Sequence, residues 1–227
     1  MITYSMRCIY CDNKKLYQLK TGQVKCVQCK KKFSIKKINQ INSICESFCN
    51  NLTINETKQK LNLSYITVSK KYKLIRELIS VFLEEQYQNK NVKQYDEYIY
   101  LEKSKKKVKA NIFDAQNFLT FNYEDKVYNL LMPNLHRYKD QFLNDGVDTG
   151  YFHEFSKFMM FNKIAKIQNK ENIIANFWIY FENEIVKYKG INNENFFYYL
   201  KEIEFKFNYS KEDTREILLQ LLNINNQ

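Results

Sequence analysis

The 227-residue chain contains only four glycines, one proline and two histidines, and it has no run of eighteen apolar residues. With so few glycines, no glycine-rich phosphate-binding loop is present. His136 and His153 belong to no Ser/His/Asp cluster, and each is interpreted as a surface or packing residue. The lack of a long apolar run excludes a membrane-spanning helix, and the first residues lack an apolar secretory stretch. The sequence therefore predicts a cytoplasmic protein with no membrane partner.

Positive charge is concentrated in the first part of the chain. Residues 1–90 hold 17 Lys and Arg against 6 Asp and Glu, a net charge of +11, whereas residues 91–227 hold 19 of each. Segregation of this kind predicts that the N-terminal part binds a polyanion. A solvated basic face without a partner is the alternative interpretation.

Four of the six cysteines form two CxxC pairs, Cys8 with Cys11 and Cys26 with Cys29. The spacing is typical of structural zinc sites, in which four thiolates surround Zn²⁺ as a tetrahedron. Residues 16–19 and 23–25 flank a Thr21-Gly22 turn and predict a β-hairpin, which would bring the two pairs together. A disulfide frame or a redox site is less favoured, because nothing indicates an oxidising compartment or a βαβ unit.

The other two cysteines, Cys45 and Cys49, are four residues apart. Together with Ile44 and Phe48 they fall on the apolar side of a predicted helix. This pattern favours buried structural cysteines, with a second metal site as the alternative.

Two helices separated by a short turn are predicted next. Residues 55–61 form the first helix, Asn62-Leu63 the turn, and Ser64 the N-cap of a helix over 65–86. The apolar stripe predicted for this second helix consists of Ile66, Val68, Tyr72, Ile75, Leu78, Ile79 and Phe82. The arrangement is that of a helix-turn-helix, whose second helix lies in the major groove of DNA. A plain antiparallel helix pair is the alternative.

Hydroxyl and ammonium groups near the start of the second helix suit base edges and phosphates. These side chains belong to Thr67, Ser69, Lys70, Lys71 and Lys73. Further phosphate contacts are expected from lysines that follow the cysteine pairs, namely Lys30, Lys31, Lys32, Lys36 and Lys37. The predicted partner is double-stranded DNA, bound with an affinity that falls steeply as salt rises.

Residues 91–227 predict strands followed by helices. A strand is expected over 95–102, and a hairpin over 118–123 and 127–132 with its turn at Glu124-Asp125. Helices are expected over 134–143, 151–161, 172–188, 193–207 and 211–222. This order indicates an α/β or α+β domain. Asp96 on the first strand and Asp145 are candidates for a carboxylate pair that holds two Mg²⁺ ions.

A zinc ribbon, a helix-turn-helix and the strand "QYDEYIYLE" resemble bacterial insertion-sequence transposases of the ISXO-like group. In that strand Asp96, Glu97 and Tyr98 match the family's "VDExYxG", whereas its Gly is absent. The C-terminal stretch is similar to the family's "N-x-I-E-x-F-W-x-x-L-K" and "Y-L-x-E-F-x-F-R-x-N". Its matching residues are Asn172, Ile174, Phe177, Trp178, Gly190, Tyr199, Leu200, Glu202, Phe205, Phe207 and Asn208. Phe177 and Trp178 are also expected to anchor the domain core.

The residues and the resemblance together predict a multidomain α/β protein. Its parts are a zinc ribbon at 1–38, a helix-turn-helix domain at 39–90 and a ribonuclease-H-like domain at 91–227. The resemblance implies a homo-oligomer that recognises the ends of a mobile element and then cleaves and joins DNA strands. It implies that Asp96, Asp145 and Asn172 hold catalytic Mg²⁺ or Mn²⁺.

Two features of the sequence depart from the family pattern. Ala175 stands where the family has an acid, and the His that usually precedes the Asn is absent. Asp140 and Asp148 are alternatives to Asp145 as the second acid. A catalytically inactive DNA-binding regulator is therefore the alternative function, with the C-terminal half as a dimerisation or effector module. Either protein would be nucleoid-associated. A third hypothesis is an RNA-binding ribbon protein, because 18 Tyr and 17 Phe are present.

Overall fold

The computed structural model describes residues 7–102, 105, 113–133, 172–188 and 190–224. The strands in these ranges are β1 (Leu16–Gln18), β2 (Val24–Cys26), β3 (Lys32–Phe33), β4 (Gln94–Tyr100), β5 (Gln116–Tyr123) and β6 (Lys126–Leu131). The helices are α1 (Ile35–Cys49), α2 (Ile54–Leu61), α3 (Tyr65–Tyr87), α4 (Ile173–Ile185), α5 (Asn193–Asn208) and α6 (Lys211–Ile224). The predicted mixture of helices and small β-sheets is confirmed.

Contacts divide the chain into two units. The first consists of Met1–Ile79 together with Tyr209–Gln227, and the second is Ser80–Asn208. The division falls within α3, and it groups α6 with the N-terminal elements. The sequence-based boundaries at residues 38 and 90 stay predictions.

Strands β1, β2 and β3 form an antiparallel sheet in that order. The register pairs Leu16 with Cys26 and Val24 with Phe33, which confirms the predicted hairpin. Gly22 in the connecting turn has a φ of 74°, a left-handed conformation that glycine adopts without strain. Phe33 on β3 and Val24 are buried with Cys8 and Cys26, and the start of α1 packs against this cluster through Ile35 and Ile38.

The predicted helix, turn and helix are present in the first unit as α2, a three-residue connection and α3. Val68, Tyr72, Ile75 and Ile79 are buried, so most of the predicted apolar stripe is confirmed. Ile66 was expected in the same stripe, but its side chain is 64% exposed. The reason is helix geometry, because residues two positions apart point to opposite sides of a helix.

Strands β4, β5 and β6 form the antiparallel sheet of the second unit. The predicted hairpin turn is confirmed at Glu124 and Asp125, whose φ values of 45° and 62° suit a two-residue turn between twisted strands. Strand β4 is confirmed, although it ends at Tyr100 and begins at Gln94. Of the predicted helices, those over 134–143 and 151–161 lie outside the described residues.

Helices α4 and α5 pack against this sheet around an aromatic core that contains Phe118, Phe177, Trp178, Phe181 and Phe196. The Trp178 indole donates to Thr120 Oγ1 at 3.0 Å, and Thr120 donates to Asn129 Oδ1 at 2.7 Å. The expectation that Phe177 and Trp178 anchor the core is therefore confirmed. The ribonuclease-H-like arrangement of the whole C-terminal part stays a prediction.

No helix in the described ranges combines the length and the apolar character that crossing a bilayer requires.

Candidate metal centre and nucleic-acid interface

The four ribbon cysteines lie together, with all four sulfur atoms within 4.8 Å of one another. Cys8 Sγ is 3.5 Å from Cys29 Sγ, and Cys11 Sγ is 3.6 Å from Cys26 Sγ. Zn–S bonds of about 2.3 Å in a tetrahedron place sulfur atoms about 3.8 Å apart. The separations therefore fit a tetrahedral four-thiolate zinc site, as the CxxC spacing predicted.

The two CxxC pairs have the same backbone geometry. Asp12 and Lys30, which directly follow the second cysteine of each pair, have positive φ values of 54° and 61°. Cys8 N donates to the carbonyl of Asn13, and Cys26 N donates to the carbonyl five residues later in the same way. Each pair thus forms a tight turn that directs its two sulfur atoms to one side, so that the hairpin can bring the turns face to face.

The cluster favours ionised sulfur at one position in particular. Burial raises the pKa of the Cys26 thiol, but N–H groups of Cys29 and Gln28 and the Cys11 thiol outweigh burial and lower this pKa to about 7. Burial raises the pKa of Cys8 instead. The thiolate is the form of cysteine that ligates a metal, so a cysteine that ionises readily assists metal binding.

Cys45 and Cys49 belong to a different environment on α1, where both are buried. Their thiols share a hydrogen bond, and this bond together with burial raises the pKa of Cys45 far above the ordinary value. The Cys45 thiol therefore stays protonated, and both buried cysteines pack as small apolar side chains. The prediction of buried cysteines at these positions is confirmed.

Hydrogen bonds hold the helices α2 and α3 in place. Tyr72 on α3 donates to the carbonyl of Leu52 at 2.9 Å, and Thr57 on α2 lies 2.7 Å from the same hydroxyl. Asn62 ends α2 in a left-handed conformation, and Ser64 caps α3 by accepting the N–H of Thr67 at 3.1 Å. The predicted turn and cap are confirmed, so the first turn of α3 has a defined position beside α2.

Most of the predicted DNA-contacting lysines are exposed. In the ribbon and the first turn of α1 these are Lys30, Lys31, Lys32, Lys36 and Lys37. On α3, Lys70 and Lys73 are exposed, whereas Ser69 and Lys71 are half-buried. Thr67 is also half-buried, and its hydroxyl lies 2.8 Å from the Ser64 hydroxyl. The accessible groups on α3 are therefore ammonium groups more than hydroxyls.

The predicted catalytic residues are described only in part. Asp96 lies on β4, half-buried, and its Oδ1 accepts the N–H of Glu97 at 2.8 Å. Asn172 is the N-cap of α4, where its Oδ1 accepts the N–H of Ile174 at 3.0 Å. Asp145 lies outside the described residues, as do its alternatives Asp140 and Asp148. Convergence of the three residues stays a prediction.

Comparison with protein-family models, with curated proteins and with solved structures gives no match for this chain. The resemblance to insertion-sequence transposases rests on the sequence motifs and stays a prediction.

Two features of the site were not anticipated from the sequence. Lys31 lies over the Tyr10 ring, with Nζ 4.6 Å from the ring centroid, which holds this lysine against the ribbon. Thr53 caps α2 and forms a reciprocal capping box with Glu56. The second feature was detectable, because a Thr followed three residues later by Glu is the pattern of such a box.

Proposed function

We propose that this chain is a DNA-binding protein that recognises duplex DNA through a zinc ribbon and a helix-turn-helix in its first unit. The observation that carries this proposal is the position of the exposed lysines. They lie on the ribbon, on the first turn of α1 and on the solvent side of α3, within a segment of net charge +11. The second helix of a helix-turn-helix is the element that enters the major groove, and lysines beside it neutralise phosphates.

The proposed metal is structural Zn²⁺, held by Cys8, Cys11, Cys26 and Cys29. Support comes from the sulfur separations and from the fact that four thiolates leave no open coordination position for a substrate. The ion would fix the two CxxC turns to each other and thereby hold the neighbouring lysines in place. The ribbon has a very small apolar core of its own, so metal binding would supply much of the free energy of folding of this part of the chain.

The resemblance extends the proposal to a transposase-like enzyme that acts in the cytoplasm at the nucleoid. Asp96, Asp145 and Asn172 would hold Mg²⁺ or Mn²⁺, which supplies Lewis-acid activation of water and then of a 3′-hydroxyl for attack on phosphodiesters. No covalent enzyme intermediate is expected. The position of Asp96 on a strand of the second unit supports this extension. A homo-oligomeric assembly is proposed by analogy with the family.

A specific observation favours the second candidate, a binding-only regulator. The Asn172 side chain already caps α4, and Ala175 in the first turn of that helix replaces the acid that the family has. A helix cap is a sufficient structural reason for an Asn at this position. Under this hypothesis the first unit would bind DNA, and the second would supply a dimerisation or effector surface.

Two measurements separate these functions. Binding of the full chain to duplex DNA is expected to weaken steeply with added salt, and an affinity that does not depend on salt would contradict DNA binding through the lysines. Strand transfer in Mg²⁺ or Mn²⁺ is then assayed on the flanking genomic DNA, with Asp96→Ala alongside. Activity lost in the variant identifies a transposase, whereas tight binding without activity identifies the regulator.

A further inference from the structure

Two apolar side chains are exposed at the start of α3. Tyr65 is 49% exposed and Ile66 is 64% exposed, and they are the first two residues of the helix. A single exposed apolar residue is ordinary on a protein surface. The position of this pair is not ordinary, because the first residues of the second helix are those that contact base edges in helix-turn-helix proteins.

Helix geometry places Ile66 among the lysines. Residues four and seven positions apart lie on one face of a helix, so Ile66 shares its face with Lys70 and Lys73. Both lysines are exposed. The face that holds Val68 and Tyr72 is on the other side of the helix and is buried. Lys73 Nζ lies 3.9 Å from the carboxylate of Glu77, four residues further along the same face, and Lys70 forms no ion pair among the described residues. Ile66 is therefore exposed at the N-terminal end of a face that carries these two lysines.

The start of α3 has a fixed position. Asn62 ends α2 with a φ of 50°, and the Ser64 hydroxyl accepts the N–H of Thr67 at 3.1 Å. The same hydroxyl lies 2.8 Å from that of Thr67, which leaves Thr67 occupied within the protein. Of the side chains in this first turn, the apolar one of Ile66 is thus better placed than the Thr67 hydroxyl to meet a ligand.

We propose that Ile66 reads the C5-methyl group of thymine in the major groove, which gives the protein a preference for sites with thymine at that contact. The proposal rests on the proposed DNA-binding function and deepens it. The Ile66 side chain is apolar and has the ammonium groups of Lys70 and Lys73 near it. It is therefore complementary to the major groove of DNA at a thymine, where a methyl group is bordered by phosphates. The thymine methyl is the one apolar group that the base pairs present in the major groove.

The test uses full-length protein in its metal-bound form and two DNA duplexes. One duplex consists of alternating A·T and T·A pairs, and the other has uracil in place of every thymine, which removes only the methyl groups. The wild type is expected to bind the thymine duplex about fourfold more tightly, the change that burial of one methyl-sized group produces. Ile66→Ala is expected to bind both duplexes equally.

Lys70→Ala is the matched control, since it removes a neighbouring exposed side chain from the same face. This variant is expected to bind both duplexes more weakly while the preference for thymine remains. Both substituted side chains are exposed, so the thermal unfolding midpoint should be unchanged in each variant.

Each remaining outcome contradicts a particular statement. Salt-sensitive binding without any preference for thymine would overturn this inference and leave the proposed function standing. A preference that survives Ile66→Ala would show that another side chain reads the methyl group. Absence of DNA binding by the wild type would overturn the proposed function and this inference together.

Discussion

The six cysteines have different chemistry because their immediate neighbours differ. Backbone N–H groups in the ribbon point at sulfur, as when Tyr10 N lies 3.4 Å from Cys8 Sγ, and the pKa of Cys26 is lowered to about 7. On α1 the thiol of Cys45 contacts that of Cys49 in a buried environment that raises the Cys45 pKa. Cys26 in the ribbon is therefore suited to ligate a metal, and Cys45 on α1 is suited to packing.

The first prediction follows from this difference. Cys26→Ser removes one of the four clustered thiols, so the purified variant should carry far less than the one zinc ion per chain expected for the wild type. Elemental analysis of the purified proteins measures the metal. Cys49→Ala is the control, because it also removes one thiol but should retain the zinc. Equal metal content in wild type and Cys26→Ser would contradict the assignment.

A second prediction concerns the Tyr72 hydroxyl on α3, which donates to the carbonyl of Leu52 and contacts the hydroxyl of Thr57 on α2. Tyr72→Phe removes the donor to the half-buried Leu52 carbonyl and the hydroxyl that the buried Thr57 contacts, so the free energy of unfolding should fall by about 1–3 kcal/mol. Chemical denaturation measures the loss. Tyr65→Phe removes a hydroxyl from a half-exposed ring and should change the stability little. A change in Tyr72→Phe as small as that expected for Tyr65→Phe would contradict a stabilising role of the Tyr72 hydrogen bonds.

At the scale of a single element, the stability of α2 should depend on pH through its capping box. Hydrogen bonds from the N–H and then the hydroxyl of Thr53 to the Glu56 carboxylate hold its pKa below the ordinary 4.5. A carboxyl group whose pKa is lower in the folded than in the unfolded protein contributes its full stabilisation at pH values above the pKa in the unfolded state. This stabilisation is lost as pH falls through the pKa in the folded state. Stability of the wild type should therefore decrease below pH 4.5.

Glu56→Gln keeps the capping geometry and removes the ionisable group, so this part of the acid sensitivity should disappear. Unfolding midpoints measured across the acidic range provide the comparison. Glu85→Gln, at an exposed position on α3, serves as the control and should retain the wild-type profile. Thr53→Ala should cost about 1 kcal/mol at neutral pH.

Short-range chemistry explains which elements were predictable from the sequence. The hairpin turns at Thr21-Gly22 and Glu124-Asp125 and the Ser64 cap depend on neighbours within a few residues, and all are present. The prediction that Ile66 belongs to the buried stripe of α3 was wrong. An apolar residue at the end of a stripe has few neighbours in the pattern that could show it to be on the other face. Residues two positions apart point to opposite sides of a helix, so helix geometry separates the exposed Ile66 from the buried Val68. The grouping of α6 with the N-terminal elements, in contrast, depends on packing between distant segments, which local periodicity does not contain.

A fourth prediction follows from the distribution of charge over the whole molecule. If the first unit binds phosphates through its lysines, the logarithm of the affinity for duplex DNA should fall linearly with the logarithm of salt concentration. Lys70→Ala should reduce that slope by about 1, the contribution of one phosphate contact. Lys126→Ala, in a segment without net charge, is the control and should leave the slope unchanged.

The last prediction concerns α6, which is the last helix of the described residues but belongs to the unit that contains the N-terminus. Leu218 on this helix is fully buried, as is Leu200 on α5 in the second unit. Each Leu→Ala substitution should cost about 2–5 kcal/mol in its own unit. Trp178, the single tryptophan, lies in the core of the second unit, so its fluorescence reports unfolding there.

Leu218→Ala should therefore weaken DNA binding and lower the temperature of zinc release while the tryptophan transition stays in place. Leu200→Ala should lower the tryptophan transition and leave zinc release and DNA binding as in the wild type. Transitions that move together in both variants would show that the two units unfold cooperatively as one. Independent transitions would mean that a helix near residue 218 stabilises a DNA-binding surface encoded within the first 80 residues, a relation that local sequence patterns do not reveal.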